Sequence, residues 1–146
     1  MDSLESQKYK LSEHFQNERK NLGAYPEHLK NALSFKDTEE ALKEITKWQG
    51  YEPTKLYSLS SLAREIGIHN IYYKDEGTRF NLGSFKALGG AYGVLKFIQN
   101  KLKKELSKKI SISDIREGKF IELTKKYTVV TATDGNHGRS VAYGAN

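Results

Sequence analysis

The 146-residue chain is long enough for one domain with a hydrophobic core, since 37% of its residues are apolar. It has no cysteine, which excludes disulfides and thiolate metal sites, and His14, His28 and His69 show no metal-ligand spacing, so no metal site is predicted. Neither a secretion signal nor a membrane span is evident, so we expect a cytoplasmic protein without a membrane partner.

The net charge of +6 raises the question of nucleic-acid binding. Nearly all of the excess lies in residues 101–126, where nine basic and four acidic residues give +5. Only one arginine, Arg116, and one aromatic residue, Phe120, lie among these lysines, and these are the side chains that stack on bases, so a solvated helix face is favoured over a phosphate-binding patch. We therefore expect no nucleic-acid partner.

The first half of the chain predicts mainly helices. Residues 1–24 resemble a weak amphipathic helix, 26–32 carry helical signals, and 37–48 begin with an acidic turn and end at Gly50. Pro53 then forces an extended link. A further helix covers Leu62, Ala63 and Ile66, with Ser58 or Ser60 as its cap and Gly67 at its end.

The second half alternates strands with helices. Residues 70–74 and 127–132 are predicted as strands. The second is rich in β-branched and apolar residues, so we expect it to be covered on both faces. Residues 114–124 predict a poor helix. Residues 85–102 predict the most regular helix, with one apolar stripe formed by Leu88, Tyr92, Leu95, Ile98 and Leu102. Its glycines at 89, 90 and 93 destabilise a helix interior and so indicate close approach of a backbone or ligand.

Two short motifs indicate chemistry. Ser84-Phe85-Lys86 enters the glycine-rich helix, and Thr133 to Gly138 lie between the second strand and a further helix. In open α/β sheets, ligands bind beyond the carboxyl ends of strands, which is where the Asp134 turn should lie. A lysine amine can form a Schiff base with the aldehyde of pyridoxal phosphate, and an Asp-Gly-Asn turn can line the edge of its ring.

Together these motifs resemble the fold type II pyridoxal phosphate enzymes, the tryptophan synthase β-like family. Within that family the similarity is to the diaminopropionate ammonia-lyases and runs from about residue 51 to residue 146. The matching motifs are Lys74-Asp75-Glu76, Arg79-Phe80, Phe85-Lys86, Leu88-Gly89-Gly90-Ala91-Tyr92 and Thr133 to Arg139.

The resemblance implies an α/β fold with a parallel sheet in three layers, and a homodimer for the complete protein. It divides the chain into an N-terminal helical extension, 1–50, and the first part of the catalytic fold, 51–146. Because family members are more than twice as long and supply the phosphate-binding loop later, we expect this chain to be a fragment and inactive alone.

The resemblance also implies roles for individual residues. The substrate is a small amino acid, 2,3-diaminopropionate, eliminated to pyruvate and ammonia. Lys86 bonds to the cofactor and serves as a base on one face of the substrate, and Asp134 serves the other face. Asn136 contacts the cofactor's 3-hydroxyl. Phe85, Gly135 and His137 are expected at the cofactor, His137 in a minor role.

Two alternatives stay open at this point. Serine and threonine dehydratases share the fold and the Ser84-Phe85-Lys86 form, but they usually have a small residue where this chain has Asp134. A carboxylate there suits a substrate whose leaving group is a cationic amine. The other alternative is a truncated, non-catalytic module that binds through the basic segment 101–126.

Overall fold

The computed structural model describes residues 17–20 and 22–146. The chain divides into two units, Met1–Ser34 and Phe35–Asn146. In the first unit a short 3-10 helix, Glu27–Asn31, follows Pro26, so the helical signal at 26–32 is confirmed. Of the helix predicted over 1–24, residues 17–20 and 22–24 are described and are not helical, and the rest lies outside the described residues.

Residues 35–146 are all described and form six α-helices and two strands. In chain order they are α1 Phe35–Ile45, β1 Leu56–Ser58, α2 Ser60–Ile66, β2 Tyr72–Lys74, α3 Ala87–Leu106, α4 Ile112–Arg116, α5 Ile121–Thr124 and α6 Asn136–Ala145. The described part of the predicted α/β fold therefore consists of helices and one small sheet. Among the described residues, no helix is both long enough and apolar enough to cross a membrane.

The sheet differs from the predicted one. β1 and β2 pair antiparallel, with Tyr57 opposite Tyr73, and the described residues contain no parallel pair. Residues 127–132 form no strand, so that prediction is wrong for this chain. A strand needs a partner to accept its backbone hydrogen bonds, and Val130, predicted to be covered on both faces, exposes 87% of its surface.

Two helix boundaries also differ from prediction. Neither Ser58 nor Ser60 caps α2, because the pairing of the strands continues into Leu59, whose N–H donates to the Ile71 carbonyl. Gly67 ends α2 as expected, with φ of 76°. The helix predicted over 114–124 is two helices, α4 and α5, separated by Gly118 in the left-handed region.

α3 passes through both hydrophobic clusters of the second unit. The first cluster comprises Ile45, Trp48, Ala91, Leu95 and Ile112, and the second comprises Ile98, Leu102 and Ile110. The predicted apolar stripe is confirmed, since its last three residues are buried and its first two pack against the first cluster. This packing fixes the orientation of α3 and hence of the segment that precedes it.

Close packing of α3 against α6 explains two of the glycines. A methyl group on Gly144 would lie 2.6 Å from the Ala91 Cα, and one on Gly90 would lie 2.6 Å from the Ser140 Oγ. The close approach of α3 to Ser140 on α6 therefore accounts for Gly90, as predicted. Gly89 and Gly93 have open space at the same position, so the structure gives no packing reason for them.

Candidate active site

Lys86 lies immediately before α3. Its backbone N–H donates to the Ser84 Oγ at 3.0 Å, and the next N–H, that of Ala87, donates to the Ser84 carbonyl at 3.3 Å. Ser84 thus forms the turn that leads into the helix. The Lys86 side chain is 36% exposed, so its amine lies at the protein surface rather than in the core.

The second motif is a turn held together by hydrogen bonds to Thr133, a residue for which no separate role is predicted from the sequence. The Thr133 Oγ1 accepts hydrogen bonds from the N–H groups of Gly135 and Gly138, both at 3.0 Å. Gly135 has φ of 125°, a conformation that favours glycine, and α6 begins at the next residue, Asn136. A threonine before a glycine-rich helix start is the signal that could have identified this cap.

The two motifs meet in space. The Lys86 Nζ lies 3.7 Å from the Asp134 Oδ1, an ion pair between segments far apart in sequence. Gly135, Asn136 and His137 belong to the same turn as Asp134 and are exposed. The structure therefore brings the predicted amine and the predicted carboxylate together, while the role of each remains a prediction.

Phe85 lies at the surface. Its side chain points away from the core, with 70% of the residue exposed, and among the described residues it has no aromatic partner.

The loop before Phe85 contains two residues with positive φ. Phe80 has φ of 48° and Asn81 has φ of 57°, conformations that cost about 1–3 kcal/mol each in a non-glycine residue.

Packing of Phe80 stabilises this strained loop. Its ring centroid lies 5.4 Å from that of Tyr143 on α6 and 5.8 Å from that of Trp48. The loop is also joined to α6 by the Arg139 Nη2, which donates to the Asn81 carbonyl at 3.4 Å. α6 thus contacts the loop that leads to Lys86 as well as presenting the Asp134 turn.

A buried guanidinium organises the Lys74 to Arg79 motif. Arg79 is 6% exposed, and its Nε and Nη2 donate to the two carboxylate oxygens of Glu76 at 2.9 and 3.0 Å. Its other donors reach the Glu52 carbonyl at 2.6 Å and the Thr54 Oγ1 at 3.1 Å. Lys74 donates to the Thr54 carbonyl. The motif therefore fixes residues 52–54 against the turn that precedes the site.

This arrangement shifts the pKa values of both partners. Hydrogen bonding from Arg79 lowers the pKa of Glu76 to about 2, against the opposing effect of burial. The hydrogen bond to Glu76 in turn raises the pKa of Arg79. Both groups therefore stay charged at neutral pH, which suits a structural pair rather than a proton donor or acceptor.

One cavity of the described residues lies away from Lys86. It has a volume of about 550 Å³ and is lined by residues of the 49–57 and 75–81 segments and by Tyr143. Neither Lys86 nor Asp134 is among its lining residues. The chemistry-bearing groups instead lie on an open surface at the adjoining ends of α3 and α6.

Comparison with known proteins decides the family. Residues 47–146 match the family model described as pyridoxal-phosphate dependent enzyme. The chain belongs to this family. Pyridoxal phosphate is therefore the cofactor to which the site must be compared, and the predicted resemblance is confirmed.

Curated relatives show which members of the family the chain is similar to. The chain is 40% identical over 106 residues to the diaminopropionate ammonia-lyase of Salmonella typhimurium, covering 73% of this chain and 26% of the relative. It is 40% identical over 96 residues to the Escherichia coli enzyme of the same name, covering 66% and 23%. The chain thus spans about a quarter of the length of these relatives.

The residues present fit one side of such a cofactor. Lys86 offers a primary amine that is accessible and directed at the turn, as a Schiff-base lysine requires. In the first turn of α6 the N–H groups of Asn136 and His137 have no hydrogen-bond partner among the described residues. These donors and the Asn136 amide are suited to the oxygen atoms on the edge of the ring.

Proposed function

We propose that the complete protein catalyses the pyridoxal phosphate-dependent elimination of 2,3-diaminopropionate to pyruvate and ammonia. The observation that supports this most strongly is the 3.7 Å approach of Lys86 to Asp134. Both residues lie within residues 47–146, which match the family model, and 106 residues of the chain are 40% identical to an enzyme of that name. The proposed substrate is a small amino acid.

Bound pyridoxal phosphate supplies an electron sink for negative charge at the substrate Cα. In our proposal Lys86 would hold the cofactor through Nζ, and its free amine would accept the Cα proton on one face of the substrate. Asp134 accepts the proton on the other face, so that both enantiomers are substrates. Asn136 donates to the cofactor's 3-hydroxyl, while Phe85, Gly135 and His137 line its surroundings.

Asp134 also supports the choice of substrate. A carboxylate attracts the β-ammonium of diaminopropionate, by about 1 kcal/mol at 4 Å in water and about 4 kcal/mol at the effective dielectric constant of a protein surface. The Asp134 side chain is 74% exposed in this chain, so the smaller figure applies until the site is covered. A neutral hydroxyl leaving group gains nothing comparable.

A serine or threonine dehydratase of the same fold is the second candidate. The Ser84-Phe85-Lys86 form favours it, and the local geometry of Lys86 would serve either reaction. The basic binding module is disfavoured, because several of its cations are already paired. Lys119 contacts Asp114 and Glu117, and Lys126 contacts Glu105 at 2.9 Å.

The proposal extends to the architecture of the complete protein. Residues 1–50 form a helical extension and 51–146 the first part of the catalytic fold. In the complete protein the catalytic fold has the parallel sheet and three-layer arrangement of fold type II enzymes. We further propose a cytoplasmic homodimer.

Turnover of competing substrates tests the reaction. The complete protein, loaded with pyridoxal phosphate, is assayed for pyruvate from diaminopropionate and serine and for 2-oxobutyrate from threonine. We expect diaminopropionate to have the highest kcat/KM and a Lys86→Ala variant to be inactive. Faster turnover of threonine or serine would assign the protein to the dehydratases, and no turnover of any of them would reject both candidates.

A further inference from the structure

One hydroxyl is buried between the two helices that meet at the site. Ser140, on α6, has no exposed surface. Its Oγ accepts a hydrogen bond from the Ala91 N–H at 3.0 Å and donates one to the Ala87 carbonyl at 3.0 Å. A regular α-helix joins the N–H of residue 91 to the carbonyl of residue 87. Ser140 therefore bonds to the two groups that form the first turn of α3.

The surrounding glycines make room for this hydroxyl. A methyl group on Gly90 would lie 2.6 Å from the Ser140 Oγ and 2.9 Å from its Cβ. One turn further along α6, Gly144 contacts the Ala91 backbone so closely that a methyl group would lie 2.6 Å from its carbonyl oxygen. Because backbone atoms cannot move aside as a side chain can, the position of Ser140 against α3 is fixed.

The two bonded groups lie next to the candidate chemistry. Ala87 follows Lys86 directly, and Ser140 is on the helix that starts at Asn136. A single buried hydroxyl thus connects the lysine segment to the Asp134 turn. The other polar links between these segments, Lys86 with Asp134 at 3.7 Å and Arg139 with the Asn81 carbonyl at 3.4 Å, are longer and exposed, hence weaker.

We propose that Ser140 is a positioning residue that sets the approach of the Lys86 amine to the turn 133–138. It thereby sets how readily that amine bonds to pyridoxal phosphate. The inference rests on the proposed function, because it takes Lys86 as the residue that bonds to the cofactor. Removing the hydroxyl deletes both of these bonds between α6 and the first turn of α3. We therefore expect the position of Lys86 relative to the turn to change.

Cofactor loading of Ser140→Ala tests this in the complete protein. The matched control is Ile110→Val, which removes one methyl group from the second hydrophobic cluster, a cluster that contains no residue of α6. Three quantities are measured: the rate of adduct formation by absorbance, the pH midpoint of the adduct spectrum, and the fraction of Lys86 labelled after borohydride reduction. Melting temperatures show whether the two variants are comparably stable.

We expect Ser140→Ala to form the adduct about 10- to 100-fold more slowly, since a displacement near 1 Å can cost that much. The pH midpoint of its adduct spectrum should shift. The rate of adduct formation by Ile110→Val should stay within about twofold of the wild-type rate, as expected for a site with no shared partners. Adduct formation by Ser140→Ala at the wild-type rate and pH midpoint would overturn the inference. If that variant does not fold, Ser140→Cys, a similar side chain with weaker hydrogen bonds, replaces it under the same criteria.

A different result would identify a failure of the proposed function. If the wild-type protein forms no borohydride-trapped adduct at Lys86, the assignment of Lys86 is wrong and the positioning role goes with it. If wild type forms the adduct and Lys86→Ala does not, the assignment stands. The comparison of Ser140→Ala with Ile110→Val then decides the positioning role alone.

Discussion

Replacing Glu76 with glutamine tests the buried ion pair that supports the site. The change removes the charge that faces Arg79 but keeps the size of the side chain. Because one pH unit of pKa difference corresponds to about 1.4 kcal/mol, a pKa of about 2 in the folded protein against an ordinary 4.5 is a contribution of roughly 3 kcal/mol at neutral pH. Leaving the buried Arg79 unpaired has a cost of similar size, about 3–5 kcal/mol.

The sign of the pH dependence follows from the lowered pKa. The contribution of Glu76 is fully present above its unfolded pKa of 4.5 and is lost as the pH falls towards about 2. Glu76→Gln should therefore reduce the free energy of unfolding by about 3 kcal/mol at pH 7, and the difference from wild type should shrink progressively below pH 4.5.

Urea unfolding at pH 7, 5 and 3 measures this difference, with Glu39→Gln, an exposed carboxylate on α1, as the control. The control should change the free energy of unfolding by less than about 0.5 kcal/mol at each pH. A loss below about 1 kcal/mol at pH 7 for Glu76→Gln, or one that does not depend on pH, would refute the structural role given to the pair.

Three further predictions concern packing and the site. Gly144→Ala should lower the free energy of unfolding by about 1–3 kcal/mol because its methyl group meets the Ala91 backbone, whereas Gly89→Ala, in open space on the same pair of helices, should raise it by up to about 1 kcal/mol. Thermal unfolding of both variants checks this, and equal effects would contradict the close approach of α6 to α3. Asp134→Asn in the complete protein should impair one enantiomer of diaminopropionate more than the other in a pyruvate assay, and equal loss would remove the proposal of two bases on two faces. The isolated 146-residue chain should bind pyridoxal phosphate weakly and release no pyruvate steadily, because the Lys86–Asp134 surface is open to solvent; tight stoichiometric binding in an absorbance titration would contradict this.

The features predicted correctly from sequence are those fixed by local patterns. The apolar spacing of α3 and the glycine that ends α2 depend on neighbouring residues, and both are confirmed. The strand at 127–132 depends on a partner strand that the described residues do not provide, so composition alone misassigned it. The break at Gly118 does not follow from the pattern, because a single glycine is tolerated inside many helices.

Part of the site was predicted correctly because its residues belong to local motifs. Lys86 and Asp134 were identified by their motifs, and the structure places them 3.7 Å apart. The contacts of Ser140 and Arg79 were missed because they depend on which groups lie nearby after folding, whereas Thr133 had a local signal before the helix start. A serine in a helix or an arginine after a turn has no sequence pattern that distinguishes a buried hydrogen-bonding role from an exposed one.

The identity of the lysine that bonds to the cofactor tests the central claim most directly. The complete protein is incubated with pyridoxal phosphate, reduced with borohydride, digested and mapped by mass spectrometry. Our account predicts stoichiometric label on the peptide that contains Lys86, and none there in the Lys86→Ala variant. Label spread over surface lysines, or concentrated at another lysine while Lys86 stays unmodified, would contradict it.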